Sequence, residues 1–68
     1  MNIDNVFSYH APKGDQLQRY EAIRAAAKNL AQAIVDNTPA CADQSAALRH
    51  VREAVMTANA SIAFKGIL

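Results

Sequence analysis

YEAIRAAAKNLAQAI (residues 20–34) and LRHVREAVMTANASI (residues 48–62) decide the fold. In the first, Tyr20, Ile23, Ala27, Leu30 and Ile34 step by threes and fours. In the second, Leu48, Val51, Val55, Ala58 and Ile62 do the same. Each run repeats every seven residues, the period of a helix that buries one stripe against another helix. Only a short stretch around Pro39 separates them, so the helices run antiparallel. The sequence predicts an all-α chain: an antiparallel two-helix hairpin with a short N-terminal segment.

Working outward, Pro12 disfavours helix before it and suits a first helical turn. The first helix is expected over 13–36, starting between Lys13 and Asp15. Asn37-Thr38-Pro39 ends it, because proline cannot donate the helical hydrogen bond. The second is expected over 42–64, before Gly66. Cys41 stands where a Ser or Asp cap is usual, which leaves Thr38 or Asp43 to serve the free amides. Residues 1–12 form the N-terminal segment, and 1–68 one domain.

A chain of 68 residues buries little of its unfolded surface and normally needs a staple. Cys41 is the only cysteine, so no internal disulfide forms, and His10 and His50 supply no metal-ligand pairs at a familiar spacing. No metal or cofactor is expected. Assembly of several chains into a homo-oligomeric helical bundle is the staple left. Small residues agree with this: Ala22, Ala26 and Ala33 with Asn29, and Ala47, Ala54, Ala58 and Ser61, form second stripes beside the main seams. Simple helix propensity explains the same alanines equally well. Seven Lys+Arg against six Asp+Glu give a net charge of +1, which does not mark a general DNA or RNA binder. No apolar run is long enough for a membrane span, and the polar N-terminus is no signal peptide. A soluble intracellular protein is expected, and the free thiol suits a reducing cytosol.

At about 100° per residue, Lys13, Arg24 and Lys28 share one flank of the first seam, beside Tyr20. Arg24 and Lys28 are one turn apart and repel unless an anion or a carboxylate lies between them. A phosphate is such an anion, with arginine forking onto two oxygens and lysine acting as a point charge. Glu21 is the alternative, and spacing alone favours a solvated, self-neutralised face. Phe7 and Tyr9 either stack on a nucleobase or staple the N-terminal segment over the hairpin, the second being the simpler reading. His10 either bonds a ligand or caps the helix. Catalysis finds no support: Ser8, Ser45 and Ser61 lack His/Asp partners at a known spacing, and His50 with Glu53 reads as a solvated contact. With glycine only at Gly14 and Gly66, there is no phosphate-cradling loop. Gln44 and Asn59 fall close to the second seam, where their amides are expected to bond each other's backbone or a facing chain and fix register.

Several of these residues also carry a resemblance. Tyr9-His10-Ala-Pro12-Lys13, Gln16, Arg19-Tyr20-Glu21-Ala-Ile23-Arg24, Ala27-Lys28, Pro39, Gln44-Ser45, Leu48, Glu53-Ala54-Val55-Met56, Ala58-Asn59-Ala60 and Ile62-Ala63 resemble the anti-CBASS and anti-Thoeris hairpin-domain proteins of phages. These sequester cyclic nucleotide signals made by bacterial immune systems. The likeness runs from about Phe7 to Ala63 and is most specific over Arg19 to Lys28 and Glu53 to Ala63. It implies a homohexamer of hairpins in the cytoplasm of the infected host, binding cyclic dinucleotides between protomers without hydrolysis. Some members take cyclic trinucleotides at separate sites, or a cyclic ADP-ribose isomer. By the same resemblance Tyr9 stacks on a base and Arg24 with Lys28 contacts phosphate, in a site that includes Phe7, His10 and Lys13. The chain departs from the family at Cys41-Ala42-Asp43, where a Ser-Arg-Glu-like start is common. It departs again at Arg52-Glu53-Ala54 and Thr57, where Glu-Glu-Ala and a later aromatic are common. The departures either remove the trinucleotide site or, through Arg49, Arg52 and Lys65, make it more basic. Two other readings stand beside this one: a small RNA-binding hairpin dimer, and an oligomerisation module without a ligand.

Overall fold

The computed structural model describes residues 14–65. They form two helices, α1 (Gln16–Asn37) and α2 (Ala42–Ala63), packed antiparallel along their length, and no strand occurs among the described residues. At 22 residues each, the helices are about 33 Å long.

α1 begins at Gln16, later than the Lys13 to Asp15 window suggests, and local backbone explains why. Gly14 has φ +57°, a left-handed conformation that only glycine adopts cheaply. Asp15 follows at φ −92°, ψ 8°, outside the helix. Its carboxylate makes no cap bond and instead accepts from Arg19 Nε at 2.9 Å. Both partners are well exposed, so the pair contributes less than about 1 kcal/mol.

α1 runs one residue past Asp36, to Asn37, whose side-chain amide donates to the Ala33 carbonyl at 2.7 Å. Thr38 then turns extended (φ −131°, ψ 151°), as the residue before a proline must. Thr38 does not serve the amides of α2. Its hydroxyl donates back to the Ile34 carbonyl at 2.6 Å. Gln44 Nε2 closes the corner by donating to the Thr38 carbonyl (3.1 Å) and to its Oγ1 (3.0 Å). Gln44 is thus a clamp on the turn, bonded to Thr38 and not to the backbone of Asn59. Cys41 is the N-cap residue in an extended conformation without a side-chain cap bond, and Asp43 lies in the first turn, where a carboxylate favours the helix dipole. α2 ends at Ala63. Phe64 N–H donates to the Ala60 carbonyl at 2.9 Å, and Lys65 is left-handed at φ +51°. At this open end Gln16 Nε2 donates across to the Ile62 carbonyl at 3.1 Å.

Between these two fastenings runs the seam. Tyr20, Ile23, Ala27 and Ile34 meet Leu48, Val51, Val55, Ala58 and Ile62, all half-buried. Leu30 was expected among them but is 53% exposed, and half-buried Ala31 takes its place. The reason is angular: from Ala27, Ala31 lies about 40° round the helix on one side and Leu30 about 60° on the other. The narrower side chain at the smaller angle fills the contact, and Leu30 is left on the rim. No described residue is fully buried. Asn59 has its Oδ1 out of solvent without a hydrogen-bond donor among the described residues. Neither helix is long and apolar enough to cross a membrane.

Candidate functional site

Two grooves flank the seam, and helical geometry dictates what lines each. In an antiparallel hairpin, residues that directly follow seam residues fall on the same side of both helices, about 100° round from the contact line. On α1 that places Arg24 and Lys28 on one side of Ala27; on α2 it places Arg52 beside Val51. These three cations rim a groove of ≈ 330 Å³. Its floor is wholly apolar, made by Ala27, Ala31, Leu48, Val51 and Val55. The opposite groove, ≈ 500 Å³, has Ile23, Ala26 and Leu30 facing Ala54 and Ala58, with His50 at its edge.

Among the described residues the ion pairs are Arg19–Asp15 and His50–Glu53 (3.6 Å, Nδ1 to Oε2). No carboxylate among the described residues comes within 4.0 Å of Arg24, Lys28 or Arg52. Glu21, the carboxylate that spacing offered as their neutraliser, does not reach them. Three like charges around one apolar floor repel mildly in water and grip an anion together. The floor offers no hydrogen-bonding side chain, so it suits a flat, weakly hydrated body such as a nucleobase face.

Of the residues that sequence singled out, Arg24 and Lys28 stand together on this groove, while Phe7, Tyr9, His10 and Lys13 lie outside the described residues. Tyr20 is half-buried in the seam, as its place in the first run predicts. Arg52 is the addition. Sequence grouped it with Arg49 and Lys65 at a separate site; the structure puts it across the groove from Arg24 and Lys28. The signal was present, since Ala27-Lys28 and Val51-Arg52 both read as a seam residue followed by a cation. His50 and Glu53 pair with each other on the exposed surface, away from this groove. No cluster of three or more His, Cys, Asp or Glu able to hold a metal occurs among the described residues.

A family model described as "Acb2/Tad1, hairpin domain" matches residues 1–63. No curated protein and no solved structure matches the chain.

Proposed function

The chain belongs to the Acb2/Tad1 hairpin-domain family, the anti-CBASS and anti-Thoeris sponges, and from that premise we propose that it sequesters cyclic oligonucleotide second messengers without cleaving them. Cyclic dinucleotides are the first choice of ligand; cyclic trinucleotides and cyclic ADP-ribose isomers are the others. The protein acts in the cytoplasm of the infected bacterium by keeping the free signal below the level that activates its effector. Because capture is stoichiometric, slow release matters more than fast association.

The observation that carries this reading is the family match, which spans both helices and the segment before them. The cationic groove supports it in chemical terms. Arg24 and Lys28 meet phosphate, and Lys13, which lies outside the described residues, is taken as a further cation for it. Tyr9, helped by Phe7 and His10, supplies the aromatic and hydrogen-bonding contacts to a base from the N-terminal segment. The whole chain acts as one domain in this reading.

The same reading includes assembly. With no described residue fully buried, and with Leu30 at 53%, Met56 at 61%, Val35 at 48% and Leu17 at 54% exposure, the hairpin leaves apolar surface that further copies would cover. The groove between Leu30 and Ala54 has its apolar character along both walls, and we assign it to a neighbouring hairpin in a homohexamer. The acceptor on Asn59 would then find a donor on a facing chain.

Calorimetric titration of the purified protein against cyclic di- and trinucleotides and cyclic ADP-ribose isomers tests the reading, with the ligand recovered by heat denaturation. Tight binding with intact ligand returned is expected. A cleaved ligand would mean an enzyme. No binding across the panel, with the oligomer intact, would leave a ligand-free assembly module.

A further inference from the structure

We propose that Arg52 is a phosphate-binding residue that makes the groove selective for ligands with two anionic groups over ligands with one. This rests on the sponge reading above and goes beyond it. The geometry has two walls. Arg24 and Lys28 sit one turn apart on α1 and line the same wall of the groove. Arg52 approaches from α2, on the far side of a floor made by Ala27, Val51 and Val55.

A ligand with one phosphate engages one wall and leaves the opposite cation unmatched. A compact ligand with phosphates on two edges engages both, and its apolar middle lies on the floor. Arg52 also has no competing interest, because no carboxylate among the described residues comes within 4.0 Å of it. Its guanidinium can fork onto two phosphate oxygens, which a lysine cannot do. Since the floor presents no hydrogen-bonding side chain, the α2 wall reads charge and spacing and leaves base identity to other residues.

The test compares wild type, Arg52→Gln and Arg52→Lys by calorimetry with a cyclic dinucleotide and with a cyclic mononucleotide, which has a single phosphodiester. Arg52→Gln should weaken cyclic dinucleotide binding about tenfold or more, the effect of one charge-assisted hydrogen bond. Affinity for the cyclic mononucleotide should hardly change, so the ratio between the two ligands collapses. Arg52→Lys should recover part of the loss, and oligomer mass and thermal midpoint should stay at wild-type values. If wild type binds the cyclic dinucleotide and Arg52→Gln binds it equally well, Arg52 has no part in the site while the sponge reading survives. If both ligands weaken equally, Arg52 contributes general attraction and the two-wall argument fails. If wild type binds no cyclic dinucleotide, the two-wall argument fails, while the sponge reading fails only if the cyclic trinucleotides and cyclic ADP-ribose isomers also do not bind.

Discussion

Lys28→Gln separates a ligand site from a structural surface more sharply than any other single change, because the two readings give it opposite signs. Lys28 shares the groove with Arg24 and Arg52 and has no carboxylate neighbour among the described residues. Lysine and glutamine have similar helix propensities, so the substitution leaves the backbone nearly neutral. Removing the charge relieves like-charge repulsion worth about 0.2–0.5 kcal/mol. For a domain of this size that raises the ligand-free thermal midpoint by about 1–4 °C. The same change deletes a charge-assisted contact to phosphate, worth about 1.5–3 kcal/mol, and should weaken cyclic dinucleotide binding by about 10- to 100-fold. Thermal unfolding at low salt and titration calorimetry read the two quantities separately. At high salt the stability gain should shrink, since the repulsion is screened. A variant that melts lower and binds unchanged would refute the reasoning: Lys28 would then be supporting the hairpin, and the anion site would lie elsewhere.

Further outcomes follow from single features of the fold. Leu30→Asp places a charge at the rim of the apolar groove without touching the half-buried seam; light scattering should show a smaller assembly, while helicity at matched chain concentration falls only in step with dissociation. Thr38→Val keeps the shape of the corner but removes the hydroxyl that donates to Ile34 and accepts from Gln44, and should cost about 1–2 kcal/mol in denaturant unfolding. Lys65→Gly should stabilise by about 1 kcal/mol, because the position holds φ +51°. Gly14→Ala should destabilise by a similar amount for the same reason in reverse, although a methyl group there meets nothing within 4 Å.

Most of the hairpin was legible because it rests on one periodicity and one breaker. Steps of three and four, interrupted at Pro39, leave no other simple arrangement for two helices of this length. What sequence misjudged were matters of a few degrees. A strict seven-residue repeat put Leu30 in the seam, but straight helices drift about 20° per repeat, and Ala31 sits closer to the contact line. The cap of α2 was misread for a different reason. Thr38 had two ends within reach, and the extended backbone before Pro39 turned its hydroxyl to the helix it leaves. On the site side, Arg24 and Lys28 were visible as neighbours because they share a helix. Arg52 was not, because its partnership crosses the hairpin and depends on how the two helices face each other.

With no fully buried residue among those described, the proposed reading couples folding to assembly and ligand capture. The hairpin's half-buried seam provides only part of the apolar burial that a stable domain of this size needs. Among the described residues the surfaces left open are an apolar groove on one flank and a cationic groove on the other. In the proposed reading copies of the chain fill the first and an anion fills the second, so each partner binds only the folded form and stabilises it by mass action. A ligand at a thousand times its dissociation constant adds about 4 kcal/mol, comparable to the whole stability of a marginal small domain. In that reading the coupling gives a physical reason for three cations that have no carboxylate partner among the described residues: their repulsion would be tolerable when copies of the hairpin hold one another, and would be relieved when the signal is bound. The cost of an unfilled groove in the free protein then reappears as preference for the filled one, which is what a stoichiometric sequestering protein requires.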